Sequence, residues 1–316
     1  MNMHEDRVFI AEMKEGSKIS APFLIKSKRL LPFKNKTGKF LNMILGDKTG
    51  QIEAFLWENA EDCLAHLGEC LVAKVEGEVE TYRENIQIKV NSLIPCDCYV
   101  IEELVPVSSK DIGIMQVELG DVIETINDKN LKYLLNMITN DPVRYKLFCR
   151  APAAQFHHQA YLGGLLEHTL GVVRVCTRLA DIYKDVNRDL LVTGAILHDI
   201  GKTIELSYDL MIGYTDQGRL LGHIVLGSQI VVDLIKQIPD FPKDLELKII
   251  HMIVSHHGEY EWQSPKRPKF LEAMLLHYAD MIDAKVDKFT QVKEDLGEGQ
   301  VWSGWIKGLD RYVYLK

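Results

Sequence analysis

Between residues 16 and 100 polar and apolar side chains alternate in short runs, and that alternation predicts strands. In KFLNMILGDKTGQIEAFLW, Gln51, Glu53, Phe55 and Trp57 interleave with Ile52, Ala54 and Leu56. Asp47-Lys48-Thr49-Gly50 supplies residues suited to a tight turn, so the segment predicts a hairpin. ENAEDCLAHLGEC changes to helical spacing, with Ala60, Cys63, Leu64 and Leu67 on one side. CLVAKVEGEVETY and ENIQIKVNSLI then return to strand patterning. Strands, hairpin, short helix and two closing strands suit a small five-stranded barrel over 16–100, preceded by an extension over 1–15.

IPCDCYVIEELVPVSSKDIG is mixed in pattern and reads as a connector, over 101–118, with a helix start near Asp111. Beyond it the period is helical. Helices are expected at 116–139, 142–149, 163–184, 187–200, 223–238, 243–257 and 270–290, with a small hairpin in SYDLMIGYTDQGRL. The expected fold class is therefore multidomain: a five-stranded β-barrel, then an all-α domain over 119–295, then a tail over 296–316. A length of 316 residues accommodates two domains.

Composition permits real cores and excludes a disordered chain, with 47% hydrophobic and 26% charged residues. The opening MNMHEDRVFIAEMKEG lacks the layout of a signal peptide, and no later run reads as long and apolar enough to span a bilayer. A cytoplasmic location without a membrane partner is the expectation. The six cysteines sit in apolar contexts, and Cys96-Asp97-Cys98 has the wrong spacing for a zinc knuckle, which predicts reduced thiols, mostly in cores. A net charge of −8 argues against indiscriminate binding to nucleic acid. Yet KSKRLLPFKNKTGK, from Lys26 to Lys39, carries lysines and an arginine without one acid.

With that hairpin, short helix and basic strip, residues 16–100 resemble an OB-fold of the nucleic-acid-binding kind, DKTGQIEAFLW being the hairpin between its second and third strands. The resemblance implies a face that stacks bases on aromatics and lines phosphates with cations. The candidates are Phe33, Phe40, Phe55, Trp57 and Tyr82, with Lys34, Lys36, Lys39 and Arg83. Alternation alone leaves open whether Phe40 and Phe55 point into the barrel or out of it. Phe33 and Trp57, beside loop or charged residues, are the better candidates for stacking.

Nine of the eleven histidines fall between His157 and His277, several inside apolar runs. A buried imidazole needs a partner, and a metal is a good one. His168 lies in GGLLEHTLGVV, and His198-Asp199 ends the apolar run LLVTGAILHDIGK. His223 opens HIVLGSQIVVDLI, His256 and His257 close IIHMIVSHHG, and Asp280 sits in MLLHYADMIDA. Imidazoles mixed with carboxylates suit manganese, iron, cobalt or zinc rather than calcium.

The order H…HD…H…HH…D resembles the HD-domain metal-dependent phosphohydrolases over about residues 120–290. The resemblance implies a first metal on His168, His198, Asp199 and Asp280. It implies a second on His223 with His256, His257 or both, Asp199 bridging the two. Lys202 follows the pair and is expected to reach a substrate phosphate oxygen, although a lysine there also suits a helix C-terminus. His157 and His158 are read as cleft-lining or capping, His251 and His277 as structural, and Asp283 as a solvated or helix-stabilising acid.

Two metals can hydrolyse a phosphoester without a protein nucleophile, and the chain carries no G-x-S-x-G elbow, P-loop or Cys-His arrangement. Barrel and HD pattern together, with GGLLEHTL, HDIGK and Gly222-His223, resemble the YhaM-type 3′-to-5′ exoribonucleases of Gram-positive bacteria over nearly the whole chain. That resemblance implies manganese-dependent release of 5′-mononucleotides from single-stranded RNA, with single-stranded DNA as a second candidate substrate. Two rival readings remain. One is an HD-type nucleotide or cyclic-dinucleotide phosphodiesterase; the cyclic-dinucleotide kind should carry GYP after the paired histidines, and HHGEYEWQSP lacks it. A non-catalytic nucleic-acid-binding accessory protein would hold a purely structural metal. Assembly into a homo-oligomer stays open.

Overall fold

The computed structural model describes residues 7–155, 159–294 and 300–316. Its contacts divide the chain into two units, Met1–Val107 with Asp209–Met211, and Ser108–Tyr208 with Ile212–Lys316.

The first unit is a closed barrel of strand order β1-β2-β3-β5-β4. It is built from β1 (Lys18–Pro32), β2 (Lys39–Asp47), β3 (Gly50–Leu56), β4 (Val72–Tyr82) and β5 (Asn85–Pro95), with α1 (Ala60–Leu67) between β3 and β4. β1 serves two neighbours: its first half pairs with β4 and its second with β2, and an irregularity between Ile25 and Ser27 marks the change. Alternation sends Leu41, Met43, Leu45, Ile52, Ala54 and Leu56 inward onto Phe23 and Ile88. At the expected turn, Asp47 Oδ1 accepts from Thr49 N at 2.7 Å, while Oδ2 accepts from Ile10 N at 2.7 Å. Ile10 and Met13 enter the core, so the stretch read as a plain extension closes one side of the barrel. The first turn of the expected connector is also ordered, as α2 (Ile101–Leu104), which packs on β1 and β2.

The second unit is helical: α3 (Ile112–Glu124), α4 (Lys129–Thr139), α5 (Pro142–Arg150), α6 (Gly164–Ile182), α7 (Arg188–Leu197), α8 (Lys202–Glu205), α9 (Asp216–Ile235), α10 (Lys243–Ser255) and α11 (Leu271–Glu294). Polar caps fix the starts. Asp111, Asp128, Asp141 and Asn187 each accept a backbone N–H from the first turn that follows. The single helix expected at 116–139 is two, because Asp128 caps a new one and Asp189 Oδ2 accepts from the Asn127 and Asp128 amides, both at 2.8 Å. The hairpin after α8 is shorter than expected, pairing only Leu206–Ser207 (β6) with Gly213–Tyr214 (β7). Thr215 then caps a first stretch of α9, and beyond a break at Gly222 the helix resumes at His223, the expected start.

α7 is buried along its whole length from Leu190 to Leu197, as befits a helix apolar on every side. It packs on α6, α10 and α11. Each fully buried leucine, such as Leu165 or Leu191, contributes roughly 1.5–3 kcal/mol. α9 corrects one expectation: among the described residues it is the one helix long and apolar enough to cross a membrane by length and composition. Gly222 breaks it, and Val231, Leu234 and Ile235 lie in the helical core. The six cysteines are free, as expected, but only Cys149 and Cys176 are buried.

Candidate metal centre and nucleic-acid face

The helical core delivers its ionisable groups at helix ends. His198 and Asp199 follow the last residue of α7, His256 follows α10, and His168 and Asp280 project from α6 and α11. His168, His198, Asp199 and His256 are each at most 2% exposed. Isolated polar groups at that depth are costly, so their mutual arrangement carries the meaning.

Asp199 stands between two clusters. Its Oδ2 lies 3.6 Å from His168 Nε2 and 3.4 Å from His198 Nε2. Its Oδ1 lies 3.5 Å from both His223 Nε2 and His256 Nε2. On the first side Asp280 Oδ1 is 3.1 Å from His168 Nε2. Donor atoms of His168, His198 and Asp280 lie within 4.8 Å of one another, and so do those of His223, His256 and His257. The expected ligand residues are thus brought together, in the two expected groups.

Every one of these imidazoles is oriented through its other nitrogen. Nδ1 donates to Ala195 O in His198 at 2.8 Å, to Ile253 O in His256 at 2.7 Å and to Trp262 O in His257 at 2.8 Å. His168 Nδ1 faces Asp283 Oδ2 at 2.8 Å, and His223 Nδ1 faces Glu205 Oε1 at 3.1 Å. For His198, His223, His256 and His257 an acceptor at Nδ1 fixes the tautomer that turns an Nε2 lone pair toward a cation. Asp199 Oδ1, His223 Nε2 and His256 Nε2 are buried without a hydrogen-bond partner. Three converging lone pairs with no proton between them fit a divalent cation.

Electrostatics divide the two groups. Burial holds His256 neutral, its pKa pushed down to about 4, and burial followed by the neighbouring His223 lowers His257. Burial would raise the Asp199 carboxyl, but Lys202 and His198 hold it well below the usual range. Burial acts the same way on Asp280, and His168 outweighs it. For His168 burial pulls down, while Asp280 and Asp283 lift its pKa to about 9.

Two backbone positions make this packing possible. Gly201 lies where a Cβ would strike the His223 carbonyl and the Gly227 amide, so α8 and α9 approach backbone to backbone. Gly222 has φ 73° and ψ 159°, which lets the chain break α9 and turn the His223 amide onto Glu205 Oε1 at 2.9 Å.

Two functional residues were missed in the sequence. Asp283, read as a solvated or helix-stabilising acid, is the partner of His168; its place three residues after Asp280 on one helix was an available signal. Glu205 carried no such signal, being far in the chain from the histidine it serves. Glu205→Gln is expected to lower metal affinity about 10–100-fold. Calorimetric titration of metal into the variant checks this, and wild-type affinity would remove Glu205 from the centre. Lys202, expected at a substrate phosphate, sits with Nζ 2.6 Å from Asp199 Oδ2. His277 Nδ1 donates to His256 O at 2.8 Å and His251 Nε2 accepts from Lys269 N at 3.0 Å, both structural contacts. His157 and His158 lie outside the described residues.

On the barrel, four of the aromatics form one outward strip. Phe55 stacks on Trp57 at 5.5 Å and 9°, Phe40 meets Trp57 at 4.8 Å, and Phe33 stacks on Trp57 at 6.1 Å and 24°. Phe40 and Phe55 therefore face out, since Leu41, Ala54 and Leu56 take the inward positions. Lys36 Nζ lies 4.0 Å over the Phe33 ring. Lys34 shares its loop between β1 and β2, but Lys39 is tied to Glu61 at 2.7 Å. Tyr82 is exposed at the β4–β5 tip, with the Arg83 guanidinium 5.3 Å over its ring. That tip lies beside the start of β3, roughly 20 Å along the strand from Trp57 at a rise of ~3.3 Å per residue.

Comparison with known proteins agrees with both halves. Residues 165–285 match the HD domain family, and residues 24–95 match the OB-fold nucleic acid binding domain family. A protein named 3′-5′ exoribonuclease YhaM from Listeria welshimeri is 33% identical over 312 residues, covering 95% of this chain and 96% of its own length. Proteins of the same name from Listeria innocua and Bacillus licheniformis are 34% identical over 280 residues and 32% identical over 308. These cover 86% and 95% of both partners. A likeness of this extent, spanning the barrel and the histidine-rich helices alike, means that the chain belongs to the YhaM family of 3′-5′ exoribonucleases.

Proposed function

We propose that this chain is a metal-dependent 3′-5′ exoribonuclease that shortens single-stranded RNA to 5′-mononucleotides, with single-stranded DNA as a second substrate. The carrying observation is Asp199, whose two oxygens face two separate imidazole clusters in a chain related end to end to exoribonucleases. In this reading His168, His198, Asp199 and Asp280 hold one divalent ion, and Asp199, His223, His256 and His257 hold another. Manganese is the proposed ion, on the family resemblance and the mixed nitrogen and oxygen donors. When bound, such ions supply an activated water and neutralise charge on the phosphoryl group.

The protein's own groups do the rest. Asp283 and Glu205 keep the His168 and His223 rings turned. Lys202, beside Asp199, places a positive charge where a phosphate oxygen can meet it. The barrel, over 16–100, holds the strand on Phe33, Phe40, Phe55 and Trp57 with Lys34 and Lys36, while Tyr82 and Arg83 offer a further contact; Lys39 contributes by releasing Glu61. The helical domain, over 119–295, cuts. Six free thiols are consistent with the proposed cytoplasmic location.

The decisive experiment incubates 5′-labelled RNA and DNA oligomers with the protein and manganese, with a chelator control. A ladder of shortened products that keep the 5′ label is expected; no shortening, or loss of label first, overturns the reading. Stacking contributes about 1–3 kcal/mol per base, so Trp57→Ala is expected to weaken long RNA roughly tenfold while sparing very short substrates. Equal loss on both lengths would take the strip out of strand binding.

A further inference from the structure

The tail beyond residue 300, read from sequence as plain, folds back on itself and onto α11. Ser303 N donates to Val313 O at 2.9 Å, Ile306 N to Arg311 O at 3.0 Å and Leu315 N to Val301 O at 2.9 Å. Leu309 and Val313 bury themselves against Val292 of α11. The small core fixes which side chains stay outside, and those are large aromatics. Trp302, Trp305, Tyr312 and Tyr314 are each 54–60% exposed. They form two pairs, Trp302 with Tyr314 at 5.0 Å and Trp305 with Tyr312 at 5.4 Å. Tyr312 and Tyr314 flank inward-facing Val313, which puts both pairs on one side of the tail.

Beside them runs a groove of about 630 Å³ along α11, with Val286, Phe289 and Tyr314 on its apolar wall and Lys285, Lys293 and Lys316 at its edges. Among the described residues no aspartate or glutamate lines it. From Val301 to Lys316 the sequence adds Lys307 and Arg311 against the single acid Asp310, on a chain whose net charge is −8. Large exposed rings bordered by an excess of cations match the chemistry of unpaired bases on a phosphate backbone. The barrel strip combines rings and lysines in the same way.

We propose that the tail from Trp302 to Lys316, with the groove it shares with α11, is a second binding platform for single-stranded RNA, stacking bases on Trp302, Trp305, Tyr312 and Tyr314 and phosphates on Lys285, Lys293 and Lys316. It rests on the reading of the chain as an RNA exonuclease and deepens it: the platform holds substrate on the helical unit, independently of the barrel. Ile282, Lys285, Phe289 and Lys293 face away from the side of α11 that bears Asp280, so the platform engages strand remote from the scissile bond.

The test measures affinity of the full chain for a long labelled RNA in the presence of chelator, and in parallel the manganese-dependent hydrolysis of a short RNA. Trp302→Ala with Tyr314→Ala, and separately Lys285→Glu with Lys293→Glu on the exposed helix face, should each weaken long-RNA binding about tenfold. The lysine pair should also flatten the salt dependence of binding. Hydrolysis of the short RNA should stay at the wild-type rate. A wild type that hydrolyses the short RNA while both variants keep full affinity overturns the platform alone. A wild type that leaves RNA intact overturns the exonuclease reading and the platform with it. If sedimentation shows instead that wild-type chains self-associate through this face, and the variants separate without losing RNA affinity, the face belongs to a second copy and the proposal fails.

Discussion

Asp199→Ala is expected to reduce RNA hydrolysis to background while single-strand binding by the barrel persists. Among the described residues Asp199 is the side chain whose two oxygens address both imidazole clusters, at 3.4 Å from His198 Nε2 on one side and 3.5 Å from His256 Nε2 on the other. Removing it takes an anionic donor from both groups at once, whereas losing His257 would touch one. The barrel is a separate unit with its own core, so the strip around Trp57 should be unaffected. Stability needs a control. Asp199 also neutralises Lys202, whose side chain is only 12% exposed, and leaving one buried charge of a pair unmatched costs about 3–5 kcal/mol. Asp199→Ala with Lys202→Met removes both charges and should recover much of the melting temperature without recovering turnover. Full hydrolysis by a folded Asp199→Ala protein would sink the assignment of the centre.

The sequence made the barrel legible where one face is buried and one is wet. Ile52, Ala54 and Leu56 alternate with polar residues, and the turn at Asp47 is written in its own residue types. Phe40 and Phe55 were not assignable, because an aromatic fits either face and only the closed barrel shows that Leu41 and Ala54 occupy the inside. The break before Asp128 was hidden for a related reason: its apolar positions stay in helical phase, and the groups that hold the break come from Asp189, 61 residues away. At the centre the ligand set was readable because His168, His198 and His256 lie in apolar runs where an unpartnered imidazole would be costly. Their orienting groups were not, since Asp283 is 115 residues from His168 and an acid looks solvated until its partner is placed. The aromatic tail was passed over because pairs such as Trp302 with Tyr314 arise only when the chain reverses at Asp310, which adopts φ 50°.

Chelation is expected to abolish hydrolysis and to lower the melting temperature of the helical unit, and manganese should restore both. The centre joins groups from α6, α9 and α11 with the ends of α7 and α10, so an ion bound there ties together the helices that form the core. Without one, Asp199 Oδ1, His223 Nε2 and His256 Nε2 are buried with lone pairs facing one another, an arrangement the folded state holds at a cost. The unfolded chain cannot present the donors together, so binding adds directly to stability. A ligand at a hundred times its dissociation constant contributes about 2.7 kcal/mol, which for a domain of this size corresponds to a rise of roughly 5–10 °C. The rise should grow with the logarithm of manganese concentration, be strongly reduced in Asp199→Ala, and leave unfolding of the barrel unmoved. Differential scanning calorimetry over a manganese series separates the two transitions. Unchanged melting across concentrations at which hydrolysis depends on manganese would mean that the catalytic ion binds somewhere other than among these histidines.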